Sequence, residues 1–163
     1  MTGRTPRRVL ALYPQTRGFG FALFDEERRL VDWGLVGVRT AEKNIETIRG
    51  MARVILRTEP SLIVCEDVRP KGVRRHDRIR RLHALLMIHA RVKRIPLRRF
   101  TRGQVFRYFN VTTKWELALT VAHAVPQLAP RLPPKRKPWM SEDARQSLFD
   151  AAALGLMAFQ RRG

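Results

Sequence analysis

Two carboxylates stand in this sequence where a carboxylate is costly. Glu66 ends the apolar run "LIVC", and Asp150 sits inside "SLFDAAALGLMAF". An ionised group in such surroundings is unfavourable unless a cation pairs with it or a metal binds it, and both uses are open for Asp150. Glu66 either faces solvent at a strand's end or is held in a cleft at the carboxyl end of a sheet. A second chemistry is carried by cations. Arg69, Lys71, Arg74, Arg75, Arg78, Arg80 and Arg81 follow directly on Glu66, and Arg98, Arg99, Arg102, Arg107 and Lys114 extend the charge. Across 163 residues, 33 Lys and Arg stand against 14 Asp and Glu, a formal charge of +19. So few acids balance these cations that the expected partner is a polyanion, and nucleic acid comes before a membrane surface, since no basic amphipathic helix lies beside a hydrophobic anchor.

Alternation of apolar residues predicts the elements that must position these groups. "VLALY" and "FGFALF" read as two strands folded over "PQTRG", with Tyr13-Pro14 closing the first, and "LVDWGLVGV" (30–38) reads as a third, making an antiparallel meander. A helix follows from a Thr40 cap to Pro60, with Ile45, Ile48, Ala52, Ile55 and Leu56 at helical spacing. "SLIVCEDV" is a short buried strand that ends at Glu66. A long helix over 74–93 places Ile79, Leu82, Leu85, Leu86 and Val92 on its apolar side, and Pro96 forces the extended segment "IPLRRF". Thr101 with Gln104 and Thr113 with Glu116 fit capping boxes that start two more helices.

Five prolines fall between Pro126 and Pro138, so 126–140 reads as a stiff basic loop inside a single domain spanning 1–163, with Lys135, Arg136 and Lys137 as a flexible arm toward nucleic acid. Ser141 is the expected cap of a last helix whose early acids and late arginines complement its dipole. The whole is an α/β layer: a mixed sheet of about five strands with helices on both faces.

Cys65 is the single cysteine, which excludes an internal disulfide and a cysteine-based metal cluster and fits a reducing cytoplasm. The basic start "MTGRTPRRVLAL" breaks at Tyr13-Pro14 before reaching leader length, and no later run approaches a membrane span, so a cytoplasmic protein is expected. The four histidines have no third partner at a metal-binding spacing.

Taken together, a hairpin "P-x-T-R-G-F-G-F-A", a strand ending in Glu66 and a late helix carrying "F-D-A-A-A-L-G-L" resemble the RuvC-type Holliday-junction resolvases of the ribonuclease H-like superfamily. The resemblance covers nearly the whole chain. It places Glu66 on the family's strand-end Glu, Asp150 on its second helical Asp, and Lys114 where a phosphate-contacting Lys is expected. It implies carboxylates converging on magnesium or manganese, phosphodiester hydrolysis, DNA ahead of RNA as partner, and a homodimer.

Two of the family's four carboxylates are missing: Tyr13 occupies the place of the first Asp and Ser147 that of the first helical Asp. A phenol with a pKa near 10 brings no charge to a cation at neutral pH, and a hydroxyl is a weak ligand. Asp143, two turns before Asp150 on the same expected helix, is the available supplement to a catalytic set of Glu66 and Asp150. The reading is therefore a RuvC-like protein that binds branched or structured DNA with a degenerate nuclease site and needs no cofactor. The alternative is an active two-metal endonuclease, with metal at Glu66 and Asp150.

Overall fold

Apolar side chains on both faces of a strand must be covered from both sides, and here they are. The computed structural model describes residues 7–70 and 77–160. Strands β1 (Val9–Gln15), β2 (Gly18–Phe24) and β3 (Leu30–Gly37) form the expected antiparallel meander; helix α1 (Lys43–Thr58), β4 (Leu62–Glu66), helix α2 (Asp77–Val92) and β5 (Leu97–Phe100) follow. The chain continues with α3 (Arg102–Phe109), α4 (Lys114–Ala124), a short 3-10 helix (Pro126–Arg131) and α5 (Gln146–Met157). The sheet order is β3-β2-β1-β4-β5, with β4 parallel to β1 and β5 parallel to β4. This is the mixed five-stranded α/β layer that the sequence predicts.

The period of two in β1 sorts its side chains between two cores. Leu10 and Leu12 join Phe19, Phe21, Ile63 and Cys65 under Met51, Val54 and Ile55 of α1 and Leu86 and Ala90 of α2. Val9, Ala11 and Tyr13 face the other way, onto α4 and α5, through Leu117, Val121, Leu148, Ala151 and Leu154. β1 runs through Pro14 to Gln15 rather than closing at Tyr13. Its parallel pairing with β4 ends at Ala11↔Val64, so the donor that Pro14 lacks falls on an edge that β4 does not reach.

Several helix expectations change. Glu42, not Thr40, precedes α1 and makes no side-chain cap; the buried face runs through Thr47, Gly50, Met51, Val54 and Ile55, leaving Ile45 and Leu56 in solvent. Phe19 decides this rotation, because its ring fills the space that a Cβ at Gly50 would take. On α2, Ile79, Leu82 and Leu86 are buried, whereas Leu85 and Val92 are exposed; the expected first turn, 74–76, lies outside the described residues.

The Thr101–Gln104 box forms in full. At α4 it is half-formed: the Thr113 hydroxyl accepts from the Glu116 amide, but the Glu116 carboxylate takes the Thr112 amide instead. Residues 126–131 are not loop, since proline is tolerated in the first turn of a 3-10 helix that buries Leu128. Nor does Ser141 cap the last helix, which begins five residues later at Gln146.

Helix α5 lies close against the sheet because glycines let it. A Cβ at Gly20 would sit 2.6 Å from the backbone carbon and oxygen of Ser147 and 2.8 Å from the Leu148 nitrogen. Backbone atoms cannot swing aside, so the whole helix start would have to lift. Gly20→Ala is therefore expected to destabilise the fold by about 1–3 kcal/mol, seen as a fall of several degrees in thermal unfolding; an unchanged melting temperature would contradict this packing.

Candidate functional site

Tyr13 and Glu66 come together through strand register. Two residues beyond the Ala11↔Val64 pair, alternation returns each strand to the α5 face, placing Tyr13 and Glu66 side by side at the carboxyl ends of adjacent parallel strands. Helix α5 crosses this end and lowers Asp150 onto it. Glu66 and Asp150 are 5% and 6% exposed.

Two helix starts complete the site. Arg102 is the first residue of α3 and Lys114 the first of α4, each fixed by the threonine cap before it, Thr101 and Thr113. A cation in a first turn opposes the helix dipole, so each needs an anion close by. Lys114 Nζ lies 2.7 Å from Glu142 Oε1, 3.2 Å from Asp150 Oδ2 and 3.4 Å from Tyr13 Oη, and 5.3 Å from the Tyr13 ring centre. Arg102 Nε stands 3.7 Å from Glu66 Oε1, and its Nη2 donates to Tyr13 Oη at 3.5 Å. Gln146 Nε2 donates to Asp150 Oδ1 at 3.4 Å and to the Lys114 carbonyl at 3.3 Å. Tyr13, Glu66, Arg102 and Asp150 line a cavity of about 20 Å³, room for about one water.

Charge follows from this geometry. Burial alone would draw the Lys114 ammonium down, but the attraction of Asp150, Tyr13 and Glu142 outweighs it and holds its pKa above the usual lysine value. Burial pushes the Asp150 carboxyl up; Lys114 opposes that push, and Glu142 adds to it. The two directions pull against each other within one pair, and the Lys114 direction governs: an ammonium facing two carboxylates stays charged at neutral pH.

This set does not fit divalent metal ions. An ammonium stands against Asp150 and a guanidinium near Glu66, on the side from which a second cation would approach. Tyr13 offers a phenol where a metal site would need a carboxylate, and the Ser147 hydroxyl turns back to donate to the Ala144 carbonyl at 2.8 Å. Among the described residues, no three His, Cys, Asp or Glu side chains gather in a way that could hold a metal ion. Asp143 does not supplement the pair: it precedes α5 rather than lying on it, and Arg145 forks its two oxygens at 3.0 and 2.8 Å.

The remaining cations are spread. Arg69 forks onto Asp67, so its charge is partly answered. Arg78 ties the Thr16 carbonyl and Asn44, holding the β1–β2 turn against α1. Arg81, Lys135, Arg136 and Lys137 are exposed. Lys71, Arg74 and Arg75 lie outside the described residues. Glu142 and Gln146 were not singled out in the sequence; Gln146 is signalled by its spacing of four from Asp150 on one helix, whereas nothing local points Glu142 to Lys114.

No protein-family model matches the chain, and no curated protein matches it. Solved structures do. The Thermus thermophilus RuvC structure superposes with a TM-score of 0.63 at 19% identity, covering 91% of each chain. T. thermophilus RuvC in complex with a Holliday junction substrate gives 0.62 at 19% identity, covering 92% of this chain and 90% of that one. The yeast mitochondrial Holliday junction resolvase Ydc2 gives 0.59 at 14% identity, over 91% and 77%. At these identities the likeness shows the fold, that of RuvC.

Removing Lys114 would leave Asp150 buried without its counter-charge. Lys114→Met is expected to cost about 3–5 kcal/mol, and the Lys114→Met/Asp150→Asn double variant to recover much of it. The pH sign follows from what Lys114 opposes: without it, burial pushes the Asp150 carboxyl up, the variant's folded state holds a proton that the unfolded chain has lost, and its stability falls as pH rises through that window. The deficit of Lys114→Met should shrink as pH falls from neutral toward the ordinary carboxylate range; a pH-independent deficit in denaturant titrations would exclude the pairing.

Proposed function

We propose that this protein binds branched or otherwise structured DNA, and that at the strand-end carboxylates it meets phosphate with Lys114 and Arg102 rather than with divalent metals, so that it binds without cutting. The observation that carries this reading is that two of the carboxylates the resemblance expects are replaced, by the Tyr13 phenol and by a Ser147 hydroxyl turned to the Ala144 carbonyl, which leaves Glu66 and Asp150 each against a cation. A formal charge of +19 supports a polyanionic partner, and the exposed cations of α2 and of 135–137 offer contacts to the phosphate backbone. DNA is preferred to RNA because the fold is shared with RuvC, solved in complex with a Holliday junction substrate, and with Ydc2, described as a Holliday junction resolvase. Branch recognition comes from that likeness and from no residue of this chain alone.

Two copies on one junction are also part of the reading, since a four-way junction offers two symmetric sites. Leu85, Ile88 and Val92 form an exposed apolar stripe along α2, and Leu56 of α1 stands 75% exposed beside the groove that His89 of α2 shares. A second copy would cover this face. Sedimentation should show a dimer that Val92→Glu weakens; a monomer at every concentration would remove this part of the proposal. Among the described residues no helix is long and apolar enough to cross a membrane.

Binding and cleavage of labelled four-way junction and matched duplex, with EDTA, magnesium or manganese, test the central claim. Junction binding is expected to be the same in EDTA as in either metal, with no product. Cleavage that disappears in Asp150→Asn would establish the active endonuclease instead, and no binding to either DNA would end the nucleic-acid reading.

A further inference from the structure

Between buried Pro133 and the start of α5, residues 134–142 are exposed and carry a tight turn. The Met140 amide donates to the Lys137 carbonyl at 2.9 Å, which sets Pro138 at the second position of the turn, where its fixed φ is suited, and Trp139 at the third. The indole is thereby held out from the protein, 78% exposed. The Lys137 ammonium stands over the ring, 5.4 Å from its centre, and at this exposure the other face is open to solvent. With Met140, 41% exposed, the indole makes a contiguous apolar patch rimmed by cations, and such a rimmed patch marks a contact surface.

Its surroundings say which kind. Lys135, Arg136 and Lys137 precede it, and no acid occurs from Pro134 to Met140, so the partner is anionic. A large flat π-system among cations suits a partner that offers phosphates and flat rings together, and that is nucleic acid. In a continuous duplex both faces of each base are already stacked, whereas a base left unpaired at a branch or an end has a face to offer. The turn is also tied to the carboxylate site. Glu142, three residues on and so within about 11 Å of chain, holds Lys114 Nζ at 2.7 Å.

We infer that Trp139 is a stacking platform for an unpaired nucleobase of DNA, set beside Lys114 by the Glu142 contact, with Lys135, Arg136 and Lys137 meeting the adjoining phosphates. This inference rests on the DNA-binding reading above. Stacking uses no charge, so it adds affinity without adding to the salt dependence.

The test titrates full-length wild type, Trp139→Phe and Trp139→Ala into end-labelled four-way junction carrying two unpaired bases at its branch point and into fully paired duplex, read by anisotropy over a series of salt concentrations and by tryptophan emission. Wild-type emission should be quenched by junction, and that quenching should fall in Trp139→Phe to what Trp33 and Trp115 contribute, since the substitution removes one of three indoles and keeps a ring. Trp139→Ala should weaken junction binding about tenfold or more with an unchanged salt slope and little effect on duplex, and Trp139→Phe should retain most of the affinity. Wild-type-like binding by Trp139→Ala, or an equal loss on junction and duplex, would overturn the stacking role while leaving the basic surface in place. Failure of wild type to bind either DNA would overturn both. The side chain is exposed in a loop, so neither substitution threatens the fold.

Discussion

A carboxylate inside an apolar helix has to be given a counter-charge, and Lys114 is that charge. Much of the site is arranged to deliver it. Thr113 caps the start of α4 and so sets Lys114 in its first turn, where the ammonium meets Asp150. Gln146 spans from the Lys114 backbone to the second Asp150 oxygen, holding the start of α4 and the start of α5 at one separation. Glu142 then answers the part of the ammonium that Asp150 leaves unpaired, and Tyr13 lies beneath it with both ring and hydroxyl. Interaction energy that a metal would otherwise provide is found here among side chains.

Tyr13 and Lys114 fit each other in this light. An aspartate at position 13 would put a third carboxylate on an ammonium that already faces buried Asp150 and exposed Glu142, and a phenol puts a polarisable face and a weak acceptor there instead. Close approach of α5 to the sheet makes this substitution consequential. Because Gly20, the cross-strand partner of Tyr13, has no side chain, the helix start sits almost on the strand, and the space between Tyr13, Glu66 and Asp150 is reduced to about the size of one water.

Much of this was legible in the sequence, and the parts that were not share a physical cause. Strands β1 to β4 stand out because alternation and Gly or Pro punctuation act locally, and the Thr101 box stands out because both partners lie within four residues. The rotation of α1 was hidden, since Ile45 and Leu56 are as apolar as Val54; only the position of Phe19 on the sheet chooses between them. The start of α5 was misplaced because Asp143 satisfies the turn through Arg145, a local pair that competes with helix. In the site, Glu66, Asp150, Tyr13, Arg102 and Lys114 were each marked by type or by resemblance and do meet. What could not be read was that Lys114 faces the carboxylates, because its partners are 28 and 36 residues away.

Glu142 is an anion already in place at the site. It is tethered next to Lys114, and a tethered group competes at the high effective concentration of its own chain. A phosphate arriving at Lys114 would exchange with it rather than add to it. One mobile cation would leave the phosphate and another would gather at the released carboxylate, so the exchange would be nearly silent to ionic strength. Contacts at the open cations of 135–137 would carry the ordinary salt response. The same protein surface would then hold a salt-sensitive rim around a salt-insensitive centre, and raising the ionic strength would strip the first before the second.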